Sequence, residues 1–284
     1  MIGADSKDYR NMSKLRKALE KAKEARVEHI EPKAQNEEKP AATAGVTREE
    51  AFKSQYKPLR PVYTDTKVVQ CNPYFLHQNR VISVCTRDEA DRLKILRTQI
   101  LNQMSEEGKN VLLVTSPGPG EGKTLTAINL AISFSHQFNK TVLLVDANIR
   151  NPSIHKYLGL DEGMGLSDYL VNHASLSDCL INPGMERIVI FRGGTPRTNS
   201  AELLGSQRMQ ALLSEMKDRY PDRFIIFDSA SVLTSADPLV FANFVDGILI
   251  VVEAEKTKKE DLIKVMEMMK NKPIIGTVFN KSLD

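Results

Sequence analysis

Residues 111–135 read VLLVTSPGPGEGKTLTAINLAISFS, and this stretch decides the fold. Val111–Thr115 is a short run of mostly branched apolar residues with no polar face, which suits a strand buried inside a sheet. Ser116–Gly122 then brings three glycines and two prolines. From Leu125 onward apolar residues return at helical spacing, as Leu125, Ile128 and Ile132. A strand, a glycine-rich turn and a helix in that order make a phosphate-binding loop. Glycines let backbone N–H groups turn inward around an anion, and the helix N-terminus favours negative charge there. Lys123 is placed to reach the β- and γ-phosphates of ATP, and the Thr124 hydroxyl to ligate Mg²⁺. The expected nucleotide contacts are Pro119, Gly120, Glu121, Gly122, Lys123, Thr124 and Leu125. One position departs from the usual G-x-x-x-x-G-K-T pattern: its first glycine is Pro117 here.

Further apolar runs flank this one, separated by helix-length segments: Val142–Asp146, Arg187–Phe191, Phe224–Asp228, Ile248–Val252 and Ile274–Phe279. Such alternation predicts an α/β fold, a P-loop NTPase with a mostly parallel sheet flanked by helices. Ligands in these sheets bind beyond the carboxyl ends of the strands. Two carboxylates stand at such ends, Asp146 after VLLV and Asp228 after FIIF. Both are candidate Mg²⁺ ligands, direct or through water. Asp146 is also the candidate for orienting or deprotonating an attacking hydroxyl or water. The plainer role for either is to cap the following helix.

Composition narrows the rest. Apolar residues make up 41% of the 284-residue chain, enough for a sizeable core. A formal charge of +3 is too small to imply a nucleic-acid surface. Cys71, Cys85 and Cys179 are scattered without metal-ligand spacing, so they read as reduced thiols. No apolar run approaches the roughly 18 residues of a membrane span, and the first residues lack a signal-peptide stretch; a cytoplasmic protein is expected. Residues 12–26 predict a short helix with Leu15, Ala18, Leu19 and Ala22 on one face. Residues 27–79 have the composition of a linker. The expected organisation is an N-terminal extension over 1–80 and a P-loop domain over 81–284.

The stretch VLLVDANIRNPSIHKYLGL resembles the second Walker-type motif of the bacterial tyrosine kinases (BY-kinases), ATPases of capsule and exopolysaccharide assembly. GEGKTLTAINLA, GLSDYL, NSAELL, FIIFDSA and VVEAEKTKKEDL are similar in the same order, over roughly residues 81–281. MSKLRKALEKA near the start is similar to kinases encoded with exosortase-linked loci. The resemblance implies a protein-tyrosine autokinase or ATPase that regulates exopolysaccharide polymerisation or export. It implies ATP and Mg²⁺ as cofactors, self-association, and recruitment to the membrane by a separate chain-length-control protein. It also implies that Asn280, after the last strand, contacts adenine. Three positions differ from the family pattern. Asn148 stands where a second acidic residue belongs. Asp91-x-x-Lys94-x-x-Arg97 replaces the oligomerisation motif Glu-x-x-Arg-x-x-Arg, with Lys94 lacking the bidentate fork of arginine. No tyrosine follows Tyr220, so any phosphotyrosine is expected at Tyr9, Tyr56, Tyr63 or Tyr74, or on a partner protein.

Two alternatives stay open. One is a positioning ATPase like MinD or ParA, although position 118 holds glycine rather than their lysine. The other is a nucleotide-dependent assembly switch with little turnover, which Asn148 favours. Asn199–Glu202 and Thr257–Glu260 both fit capping boxes and are expected to be structural. His155 is expected to be a packing or surface residue.

Overall fold

Strands without a polar face have no side to offer to solvent, so the runs named above must pair within one sheet and be covered on both sides. The structure, a computed structural model, describes residues 66–81, 87–105, 108–137, 140–219 and 222–282. The helix expected over 12–26, together with Tyr9, Tyr56, Tyr63 and Tyr220, lies outside the described residues. The strands are β1 (Lys67–Val68), β2 (Val111–Thr115), β3 (Thr141–Asp146), β4 (Leu180–Asn182), β5 (Ile188–Phe191), β6 (Arg223–Asp228), β7 (Gly247–Glu253) and β8 (Ile274–Asn280). They form one sheet in the order β1-β4-β5-β3-β6-β2-β7-β8. From β5 to β8 every pairing is parallel, while β4 runs antiparallel to β5 and carries β1 alongside it.

All six expected runs are strands. The short strands β1 and β4, at one side of the sheet, were not foreseen, because two or three residues are too few to show a period. β1 and the helix α1 (Pro73–Gln78) carry the fold back to positions ahead of the boundary expected between 80 and 81, and Leu76 and Val81 are buried in the core.

The period of two along each strand sorts side chains into two apolar layers. Leu112 and Val114 of β2, with Val142 and Leu144 of β3, face helix α3 (Lys123–Ser135). Val111, Leu113, Leu143 and Val145 face the other layer, with α8 (Gln207–Arg219), α9 (Asp237–Phe241) and α10 (Lys259–Met268). Full burial of each such side chain contributes about 1.5–3 kcal/mol. Helix α3 is buried at every position from Ala127 to Ser135. Two of its hydroxyls bond back to nearby carbonyls: Thr126 Oγ1 donates to the Gly122 carbonyl and Ser135 Oγ to that of Ile132. Helix α2 (Arg87–Gln103) docks on α3 with Ile100 in the core and Arg97 Nη1 donating to the Ser133 carbonyl at 2.5 Å.

Neither expected capping box forms. Asn199 precedes α7 (Ser200–Leu204), but its side chain makes no cap bond and its backbone is not extended. The Ser200 hydroxyl turns instead to the buried Asp237 at 2.8 Å. The helix α10 is entered from Lys258 rather than Thr257, because the Thr257 hydroxyl is engaged elsewhere.

Candidate functional site

β2 lies between β6 and β7, so its carboxyl end delivers the loop 116–124 to the middle of the sheet. Positive φ angles occur at Gly120 (80°) and Gly122 (95°) and not at position 117. Pro117 is therefore compatible with the loop: proline is locked at negative φ, and the turns that need glycine fall elsewhere. The loop is anchored by its carbonyls. Ser116 Oγ and Ser231 Oγ both donate to the Gly118 carbonyl at 2.7 Å, Lys281 Nζ to that of Gly120 at 2.8 Å, and Asn280 Nδ2 to that of Glu121 at 2.9 Å. A side chain at Gly122 would collide with the Asn280 amide. Asn280 thus sits against the loop backbone. Pro119 and Gly120 are exposed, Lys123 opens α3, Thr124 is buried beneath it, and Leu125 packs on the core.

The two strand-end carboxylates are brought together. Asp146 and Asp228 are register partners on β3 and β6, and both are almost fully buried. Thr124 Oγ1 donates to Asp228 Oδ2 at 2.7 Å. Asp146 Oδ2 accepts from the Ser153 and Ile154 N–H groups at 2.8 and 3.0 Å, at the start of α4 (Ile154–Leu158). The capping role is therefore real for Asp146, while Asp228 serves the loop. Burial holds both carboxyls well above the usual carboxylate range. For Asp228 the neighbouring Asp146 charge raises it further, and Lys123 pulls both back down. Asp146 Oδ1 and Asp228 Oδ1 are buried without a protein partner. Two adjacent buried carboxylates, each with an oxygen to spare and a threonine hydroxyl between them and the loop, fit a divalent cation. Glycines of positive φ at a helix start fit a phosphate chain.

Sequence reasoning missed one connection. Thr257, read as a helix cap, donates its hydroxyl to Glu121 Oε1 at 2.5 Å, across 136 positions of sequence. Glu121 itself is buried and turned back into the protein, its Oε2 accepting from the Gly118 N–H at 3.0 Å. Both of its carboxylate oxygens are thus taken by donors within the protein. Lys281 lies beside it, also bonded to Glu253 at 3.1 Å. No local pattern marks such a contact, because a Thr-x-x-Glu spacing satisfies the capping rule on its own terms.

Other expected features fall nearby or apart. His155 borders a cleft of about 300 Å³ with Lys156, Glu162, Met164 and Arg192, its Nε2 3.7 Å from Glu162 Oε1. Burial lowers its pKa, as for a packing histidine. Asn148 is nearly buried beside Asp146. On α2, Lys94 pairs with Asp91 at 2.7 Å within the helix, and Arg97 is turned inward to Ser133 rather than outward.

The parallel sheet, the glycine loop opening a buried helix, and the paired carboxylates at neighbouring strand ends define a P-loop nucleotide-binding protein. The cell-division ATPase MinD of Pyrococcus furiosus shares this fold, with a TM-score of 0.51 and 22% identity over 61% of this chain and 74% of that one. The kinase domain of Escherichia coli tyrosine kinase ETK is more similar, with a TM-score of 0.63 and 26% identity over 68% of this chain and 75% of that one. Tyrosine-protein kinase YwqD of Bacillus subtilis is 32% identical over 194 residues, 67% of this chain and 80% of its own length. The chain belongs to the family of bacterial tyrosine-protein kinases. No protein-family model matches it.

Proposed function

We propose that this chain is an ATP- and Mg²⁺-dependent protein-tyrosine kinase that regulates exopolysaccharide or capsule polymerisation and export. The observation that carries the proposal is the pair of buried, register-matched carboxylates Asp146 and Asp228 beside the Lys123–Thr124 helix start. Bound Mg²⁺·ATP supplies the phosphoryl donor and most of the charge neutralisation for transfer. The chain's residues do the positioning. The loop N–H groups and the α3 N-terminus hold the phosphates, and Lys123 stabilises charge on the transferred group. Thr124 and Asp228 hold the cation. Asp146, fixed by the Ser153 and Ile154 N–H groups, orients or deprotonates the acceptor hydroxyl. Asn280 borders the nucleotide site from the end of β8. Among the described residues no helix is long and apolar enough to cross a membrane. Recruitment to the inner membrane face by a separate chain-length-control protein, with assembly into a homo-oligomer, belongs to the same proposal.

Asn148 favours a second function, a regulatory ATPase or ATP-dependent assembly switch, because one negative charge near the cation is missing relative to the family pattern. Incubation with Mg²⁺ and γ-labelled ATP separates the two. Phosphotyrosine on the protein or on its partner supports the kinase. Free phosphate without labelled protein replaces it with the ATPase, and neither product leaves the switch.

A further inference from the structure

We infer that Thr257 and Glu121 are positioning residues that preorganise the phosphate-binding loop, and that a threonine 136 positions away sets its affinity for nucleotide triphosphate. The inference rests on the nucleotide site proposed above. Four of the loop's tethers act on carbonyls: Ser116 and Ser231 on Gly118, Lys281 on Gly120, and Asn280 on Glu121. They turn oxygens away from the space where phosphate oxygens would sit. The Glu121 carboxylate acts on an N–H, that of Gly118, through Oε2 at 3.0 Å. A glycine-rich loop has more conformations to lose on binding than any other, so a fixed Gly118 lowers the entropic cost of closing on an anion.

The chemistry of Thr257 makes it the anchor of that carboxylate. Its hydroxyl oxygen accepts the Glu253 N–H at 3.0 Å at the end of β7, so its proton is directed to Glu121 Oε1. Glu121 is 6% exposed, and each of its oxygens has one donor. Serine in place of Thr257 keeps both bonds. Valine keeps the shape and loses both. Glutamine at 121 keeps one acceptor oxygen, so either the Gly118 N–H or the Thr257 hydroxyl proton is left without its acceptor. The connection makes the segment after β7 part of the nucleotide site without touching nucleotide.

The test measures binding of a fluorescent ATP analogue with Mg²⁺ to the full chain, comparing wild type with Thr257→Val, Thr257→Ser and Glu121→Gln, each checked for fold by circular dichroism. Losing one charge-assisted bond predicts a dissociation constant raised about tenfold in Thr257→Val and in Glu121→Gln. Thr257→Ser is expected within about twofold of wild type. Should Thr257→Val not fold, Glu121→Gln carries the test. Wild-type affinity in Thr257→Val and Glu121→Gln overturns the inference while leaving the nucleotide site standing. So does a Thr257→Ser variant as weak as Thr257→Val, because the hydroxyl would then not be the cause. Failure of the wild type itself to bind overturns the nucleotide site, and the brace with it.

Discussion

The Thr124 hydroxyl donates to Asp228 Oδ2 at 2.7 Å, joining the first turn of α3 to the end of β6. A divalent cation placed between them would take the oxygen side of both groups, so the bond holds the two ligands at close range before any cation arrives. Asp228→Asn keeps a partner for Thr124 but removes the anionic ligand, and turnover is predicted to fall about a hundredfold or more. The same carboxylates set a pH dependence. A raised folded pKa means stability that is present at low pH and lost as pH rises through the folded value, because the folded state then resists ionisation. In metal-free protein, the contribution of the Asp146–Asp228 pair is therefore fully present below the ordinary carboxylate value of 3.8 and is lost as pH climbs from there through the raised folded range of the pair. Thermal melting with chelator at several pH values should show a midpoint that falls across this window. The decline should be shallower in Asp228→Asn and reversed by Mg²⁺ in the wild type. A wild type whose melting is indifferent to Mg²⁺ above pH 7 would contradict the cation site.

Lys123 opens α3 and lies close enough to both carboxylates to lower their pKa values. Lys123→Ala is predicted to weaken ATP binding by about 1.5–3 kcal/mol and to abolish measurable turnover, with the circular dichroism spectrum unchanged. Normal turnover in the folded variant would remove the loop from the chemistry.

Helix α2 separates two effects that the oligomerisation motif would merge. Arg97 is tied to Ser133 inside the molecule, whereas the Lys94–Asp91 pair is exposed. Arg97→Glu should lower the melting midpoint by about 5 °C or more, because a carboxylate would face a carbonyl. Lys94→Glu should leave the midpoint nearly unchanged, since exposed pairs contribute about 0–1 kcal/mol. If α2 mediates assembly, Lys94→Glu alone yields monomers by light scattering with Mg²⁺·ATP. Persisting oligomers place the interface elsewhere.

Tyr74 is 64% exposed, while Tyr157 and Tyr169 are partly buried, Tyr169 against Phe191 with Arg208 over its ring. Phosphopeptide mapping after incubation with Mg²⁺·ATP is predicted to place label at Tyr74 or at Tyr9, Tyr56 or Tyr63, or on a partner protein. Label confined to Tyr157 and Tyr169 would show that the domain opens further than its packing suggests.

The sheet was legible because strands such as Val111–Thr115 and Phe224–Asp228 are apolar on both faces and spaced by helices. The β1 edge was not: β1 holds two residues and gains its identity from pairing with β4 alone. Asp146, Asp228, Lys123 and Thr124 could be placed because each stands at a strand end or helix start. Glu121 could be placed in the loop but not oriented, since its direction depends on Thr257. Arg97 could be placed in the motif of α2, but its bond to the Ser133 carbonyl could not be read from it. A helix face shows which residues share a side, but not which neighbour covers it.

The opposition of Asp146 and Asp228 on β3 and β6 has a consequence for how this sequence can change over time. Side chains on neighbouring strands are matched position by position, so the sheet acts as a ruler between its two acids. Conservative apolar exchanges at Leu144 or Ile226 repack the core and leave the ruler intact. Insertion or deletion of one residue in either strand moves one acid past the other and turns its side chain to the opposite face. Lineages descending from this chain should therefore exchange one apolar residue for another along β3 and β6 while keeping the length of each strand fixed.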